Sequence, residues 1–419
     1  ENNHRIRHLN FGLFLAHRMR SQSIDKSSAS NRIIKIAIAA IALGLVMMLI
    51  AVSTSLGLQH EIKNKIIVFS GQLNIAPFEN NNSKVSTRPI YRSELNEVGW
   101  NSTDDIDHIQ ATASKAALVK SKTDFEGLVV KGVGSDYRWH NLDSYLVEGS
   151  YPNTQDNLNN EILLSQTIAQ RLHIGIGDRV TAYFQNSSST GTPNTRYFKI
   201  VGIYETGFPD FDSSYLFADI RHIQRINKWS SDAVGGFEVF LSEGIDLKEK
   251  NVQIYNQLPP HIDSITVNEL FPSLFEWVSL FDFNLAIILI LMLLVGTLNM
   301  ATALLVLILE RSKMVGLLKA MGAKNKLIQQ VFLWNALYII LKGIFIGNVI
   351  GLALIFGQQK FNWIHLDPTT YYVSEVPILL SFSNFILLNA GVVLVCTTLL
   401  YVPSFVVTKI DPSKVMRVQ

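Results

Sequence analysis

Ten histidines and one cysteine make up the metal-binding and thiol inventory of these 419 residues. His140, His173, His222 and His261 do not pair at the i, i+4 spacing that puts two imidazoles on one helix face, and no cysteine stands near them. His4 and His8 have that spacing but lie in a basic stretch without a third ligand, so they read as solvated. Cys396 sits inside an apolar run, where a thiol packs rather than reacts. No Gly-x-x-x-x-Gly-Lys loop, nor any Gly-Lys pair, is present to cradle a nucleotide's phosphates, and no Gly-x-Ser-x-Gly turn presents a serine. The residues therefore predict a non-catalytic chain with no metal and no cofactor, in which any ATP hydrolysis belongs to a partner.

The pattern that does stand out is Glu310–Ala323, ERSKMVGLLKAMGA. Met314, Leu317, Leu318 and Met321 fall at i, i+3, i+4 and i+7, which gathers them on one helix face and leaves Gly316 and Lys319 on the other. Arg311, Lys313, Lys319, Lys324 and Lys326 against Glu310 alone give the segment the charge of a cytosolic loop. A solvated loop that only sets topology is one reading. Four apolar residues on one face favour the other, a docking helix for a cytosolic partner.

The elements that must position this helix are apolar runs. The chain is 48% hydrophobic and 17% charged, which requires the apolar residues to be segregated. Four membrane spans are predicted, at 33–56, 280–309, 328–356 and 378–407, with a large mixed α+β extracytoplasmic domain over 57–276 between the first and second. Residues 1–32 form an N-terminal segment in which Leu9–Met19 reads as an interfacial helix, 310–327 the docking segment, 357–377 an external loop and 408–419 a tail. Residues 1–35 carry a net +5 and 310–326 a net +4, whereas 57–276 holds 19 Lys/Arg against 27 Asp/Glu. That asymmetry puts both termini and the docking helix in the cytosol and the domain outside, and it removes any case for nucleic acid. With its one cysteine in a span, the outer domain has to be held by its own core.

Leu58, Ile62, Lys65 and Ile66 keep helical spacing beyond the first span, predicting a stalk, and Val267–Ser279 suggests a second. Between them Leu73–Pro77 and Glu161–Leu164 read as strands, Ser165–His173 as a helix, and Val180–Phe184 with Tyr197–Tyr204 as a hairpin. An asparagine run, Asn80–Ser83, marks a loop. Lys342 lies deep in the third span, and is expected either to snorkel or to meet Asp282, Asn335 or Asn348.

Glu310, Arg311, Gly316, Leu318, Lys319, Ala320, Gly322 and Ala323 match the corresponding segment of the FtsX-like ABC transporter permeases, which this stretch resembles, with Met314-Val315 where that family has Glu-Ile. Ile162, Ser165, Leu172, Gly177, Asp178, Gly207 and Asp212 fit the domain of the same family. The tail Ile410-Asp411-Pro412 to Arg417 resembles that of the superfamily as a whole, and the loop Leu366-Asp367-Pro368 to Tyr371-Tyr372 is most similar to its LolC/LolE-type lipoprotein-releasing branch. The resemblance implies a bacterial inner-membrane permease working with a cytosolic ABC ATPase dimer and a second permease, itself or a paralogue, to lift lipoproteins from the outer leaflet by mechanotransmission. It makes Glu310, Arg311, Met314, Gly316, Leu317, Leu318, Lys319, Met321 and Gly322 the ATPase-coupling residues. Two alternatives stand beside it: a MacB- or FtsX-like mechanotransmitter for efflux or a periplasmic enzyme, and a receptor or anchor that uses no ATP.

Acyl chains need an apolar groove at the outer leaflet, which would draw on Met47, Met48, Ile50, Val52 and Leu56 of the first span and Phe275, Leu280 and Phe283 of the second. A periplasmic chaperone is a further candidate partner. The matching hairpin loop, Gln185–Arg196, has no large apolar residue, so weak capture or none is expected.

Overall fold

The structure, a computed structural model, describes residues 29–78, 84–96, 105–155, 157–185 and 192–409. The expected interfacial helix at Leu9–Met19, the asparagine run, half of the hairpin loop and the tail motif lie outside them. The chain divides into two compact units, one containing residues up to Gln59, Val278–Ile364 and Val376 onward, the other His60–Trp277 and His365–Glu375.

The first unit is helical. Among the described residues four helical stretches of the chain, Arg32–Ser70, Pro272–Glu310, Asn325–Phe361 and Phe382–Thr408, are long and apolar enough to cross a membrane. The longer helices of the chain are α1 (Ala29–Ser70), α2 (Gln166–Leu172), α3 (Ile220–Asn227), α4 (Leu247–Tyr255), α5 (Pro272–Glu310), α6 (Ser312–Ala320), α7 (Asn325–Phe361) and α8 (Phe382–Leu399). The last stretch is not one helix: α8 is followed by the turn Tyr401–Ser404, which holds Pro403, and by a 3-10 segment at Phe405–Lys409.

Close packing in this unit centres on α1 and α7. A methyl group added at Gly343 would lie 2.8 Å from Cβ of Ile41, and one at Gly347 would lie 2.8 Å from the Ala42 carbonyl oxygen. Glycine lets the backbones approach where any side chain would hold them apart. Gly347→Val should therefore lower stability by roughly 1–3 kcal/mol. Thermal unfolding in detergent measures this, with Gly296→Val as the control because nothing lies within 4 Å of that position. Half of the most apolar window of α1 is buried but only 6% of that of α5, so α5 keeps most of its surface for lipid or another chain.

Two side-chain hydrogen bonds join helices in the first unit. Gln59 Nε2 donates to Asp282 Oδ1 at 2.8 Å, and Asn348 Nδ2 to Asn389 Oδ1 at 2.8 Å. The Asn335 amide bonds the Val331 carbonyl one turn back. Lys342 thus has none of its three expected partners. It projects from the exposed side of α7, where its ammonium stands 4.5 Å from the ring centre of Tyr338, one turn earlier.

In the second unit the strands are β1 (Leu73–Pro77), β2 (Ile90–Tyr91), β3 (Ile106–Lys120), β4 (Phe125–Val133), β5 (Leu146–Gly149), β6 (Glu161–Ser165), β7 (Arg179–Phe184), β8 (Asn194–Tyr204), β9 (Tyr215–Asp219), β10 (Ala233–Val234), β11 (Gly236–Leu241) and β12 (Ile262–Thr266). The main sheet runs β12-β1-β11-β3-β4-β9-β6-β8-β5, and β7 pairs with both β3 and β8. Those extra pairings close the path β3-β4-β9-β6-β8-β7 on itself, so most of these strands have no free edge. Alternation along β7 sends Val180, Ala182 and Phe184 inward, beside Phe198 and Ile200 of β8 and Val119 of β3. The hairpin of β7 and β8 is antiparallel, with Val180 opposite Phe198. Ser165 caps α2 by accepting from Ile168 N–H, and His173 ends that helix in the left-handed region.

The ends of the domain correct one expectation. Helix α1 continues to Ser70 and stops at Gly71, whose φ of +70 suits glycine. The stretch Val267–Ser279 is not one continuous stalk, because the turn Val267–Leu270, capped by Thr266 and Glu269, breaks at Phe271 before Pro272 starts α5.

Candidate functional site

The docking segment folds as α6 with Arg311 at its N-terminal boundary and Met321 at its end. Gly322 terminates it at φ +90, with Gly322 N–H bonded to the Lys319 carbonyl and Ala323 N–H to that of Leu318 at 2.9 Å. Within one turn the chain enters α7 through Lys324.

The four apolar residues expected on one face are divided. Val315 is fully buried, Gly316 is buried, and Met314 and Leu318 are half-buried, with Leu318 against the helical core. Leu317 and Met321 point outward, 55% and 69% exposed. The face carrying Gly316 and Lys319 is therefore the one that packs. The Lys319 ammonium donates to the Val407 carbonyl at 2.8 Å and the Thr408 carbonyl at 3.2 Å, a cation on the last carbonyls of the final helical segment. Glu310 and Gly322 are exposed and Arg311 is half-buried. The exposed side of this segment carries an apolar pair, Leu317 and Met321, with Lys313 and Lys324 also exposed.

The expected groove residues do not share a surface. Met48 and Val52 are buried, and Met48 belongs to the helical core with Leu45 and Leu49. Adjacent positions on a helix point about 100° apart, so Met47 and Met48 cannot both line one groove. Met47, Leu280 and Phe283 are exposed, Ile50 and Leu56 half-buried, and Phe275 is half-buried in the other unit.

Three buried lysines of the domain, Lys65, Lys131 and Lys250, went unremarked as charges in the sequence, and Lys250 meets Asp105 at 2.7 Å. Lys131 of β4 lies 2.6 Å from Glu238 of β11, both almost inaccessible, and it donates to the Phe69 carbonyl in the last turn of α1. Glu238 also accepts from Gln110 Nε2 at 2.9 Å, and the Phe217 ring stands beside the ammonium. Lys65 is 7% exposed; its ammonium donates to the Thr206 carbonyl at 2.6 Å and the Tyr372 carbonyl at 3.0 Å. Helical spacing did place Lys65 in line with Leu58, Ile62 and Ile66, all buried here.

Asp212 organises the turn beneath Lys65. Its carboxylate accepts from Thr206 N–H at 3.1 Å and Thr206 Oγ1 at 2.8 Å. Burial pushes the carboxyl above its ordinary range, while the bonds from Thr206 and from Gly207 N–H pull it back. The Tyr372 ring stacks on Phe208 at 4.6 Å and meets Trp277 edge-on at 5.4 Å.

Known proteins align with most of this chain. The MacB-like periplasmic core domain family matches residues 36–263, and the FtsX-like permease C-terminal family matches 286–412. The lipoprotein-releasing system transmembrane protein LolE of Haemophilus influenzae is 21% identical over 391 residues, covering 90% of this chain and 92% of that protein. The lipoprotein-releasing system transmembrane protein LolC of Buchnera aphidicola is 20% identical over 393 residues, covering 92% and 93%. The periplasmic region of MacB from Actinobacillus actinomycetemcomitans aligns at 12% identity and a TM-score of 0.35, over 48% of this chain and 91% of that one. With a periplasmic core family over more than half of its length and a permease family over its remaining helices, the chain belongs to the FtsX-like ABC transporter permeases.

Proposed function

We propose that this chain is the permease subunit of an ABC transporter that extracts lipoproteins from the outer leaflet of the bacterial inner membrane, driven by ATP hydrolysis in a partner. The observation that carries this reading is the match to LolE and LolC across about nine-tenths of the chain. In this reading residues 33–56, 280–309, 328–356 and 378–407 cross the membrane, both termini are cytosolic and the domain is periplasmic. An ATPase dimer docks on α6 through Leu317 and Met321, and a second permease, itself or a paralogue, covers the exposed side of α5. Motion passes along α1, which runs unbroken from Ala29 to Ser70, into the domain. The lipoprotein's acyl chains lie against Met47, Leu280 and Phe283, and the loop after β7 captures a chaperone weakly or not at all.

The MacB-like core domain match favours a second reading, a mechanotransmitter for efflux or a periplasmic enzyme. Purification of the untreated complex from membranes distinguishes the two. An ATPase without a membrane segment together with acylated protein is the expected result. An ATPase with no acylated protein would replace lipoprotein release by the second reading, and no ATPase at all would leave a receptor or anchor.

A further inference from the structure

Lys65 differs in kind from the other two buried lysines of the domain, Lys131 and Lys250, each of which meets a carboxylate. Lys131 has a buried carboxylate in Glu238 and one backbone carbonyl, whereas the hydrogen bonds of Lys65 go to two backbone carbonyls from distant segments. Thr206 follows β8, and Tyr372 lies in the loop that joins α7 to α8. Each acceptor is held independently. Thr206 is fixed by the Asp212 carboxylate, while Tyr372 adopts φ 61, unusual for a tyrosine, with its ring between Phe208 and Trp277. Glu61, Asp212 and Glu205 balance the charge from nearby without taking the ammonium.

A carboxylate partner can follow an ammonium by rotating its side chain, but a backbone carbonyl moves only with its segment. A bond of this type therefore reports and enforces segment position. The ammonium also needs both carbonyls, because a buried charge with unmet hydrogen bonds is unfavourable. We propose that Lys65 is a positioning residue that ties α1 to the turn after β8 and to the loop between α7 and α8, so that a displacement of α1 carries both with it. As a step in transport this rests on the permease reading above. As a mechanical tie it stands on the hydrogen bonds alone.

The test compares Lys65→Met and Lys65→Arg in the full chain in lipid nanodiscs, by amide hydrogen exchange, and then with any co-purified ATPase. In Lys65→Met the amides of Leu366 and Tyr372, bonded to Ser374 and Pro368, should exchange at least about tenfold faster while those of β3 and β11 are unchanged. Lys65→Arg, which keeps the donors, should restore protection. With ATPase present, Lys65→Met should keep hydrolysis within about twofold and lose about tenfold or more in ATP-driven release of acylated protein. Unchanged exchange in the loop would overturn the tie, as would faster exchange throughout the sheet, which would make Lys65 a folding residue. Hydrolysis falling in step with release would overturn its role in transmission. If wild-type chain carries no ATPase, the permease reading fails, and the exchange result still judges the tie.

Discussion

Lys131→Met is expected to destabilise the domain by about 3–5 kcal/mol, because it leaves Glu238 charged in the interior with only Gln110 as its hydrogen-bond partner. The same change removes the donor to the Phe69 carbonyl at the end of α1. That magnitude is a large part of the stability of an ordinary domain, so the variant should unfold at markedly lower temperature or express poorly. Adding Glu238→Gln removes the orphaned charge and should recover a substantial part of the loss. The four-variant cycle, read by thermal unfolding of the full chain in detergent, measures the coupling. A double variant no more stable than Lys131→Met alone would show that the ion pair is not what Lys131 contributes.

The second large effect concerns α6. Leu317→Asp with Met321→Asp should weaken ATPase binding by about 100-fold or more, the loss typical of removing two central apolar anchors and putting charge in their place. Both side chains are exposed in the isolated chain, so its own unfolding temperature should stay close to wild type. Leu318→Asp is the wrong probe, since Leu318 packs against the helical core and its loss would mix folding with docking. Pull-down of the ATPase and its stimulated hydrolysis decide the matter; binding equal to wild type would remove the docking role of this face.

Much of the fold was legible because its signals are local. Apolar runs marked the long helices, and Val180–Phe184 with Tyr197–Tyr204 marked the hairpin of β7 and β8, whose second strand starts three residues earlier, at Asn194. The break at Phe271 was less legible, since a capping turn of four residues hides inside an aromatic-rich stretch that otherwise reads as helix. On α6 the periodicity of Met314, Leu317, Leu318 and Met321 was real. Which side faces the bundle depended on Val315, on the small Gly316 and on distant carbonyls at 407 and 408, none of which spacing reveals. The facing of the groove residues was hidden for a similar reason: height along a helix can be counted, but which of Met47 and Met48 turns inward is set by their neighbours. Lys131 and Glu238 are far apart in sequence, and nothing local distinguishes them from surface charges.

The placement of β1 bears on how the chain is made. Leu73 leaves the first long helix almost at once, yet its partners are Val239 on β11 and Thr266 on β12. At a synthesis rate of about 5–20 residues per second, this strand waits on the order of ten seconds before either neighbour exists. Such distant pairing also folds slowly once the partners are present. During that interval Leu73 and Ile75, fully buried in the finished sheet, are exposed apolar residues on an unpaired strand, with no disulfide to restrain them. The nascent domain is thus most vulnerable to aggregation and proteolysis while β11 and β12 are still being made, and slowing translation between residues 77 and 236 should lower the yield of folded chain more than slowing it after residue 266.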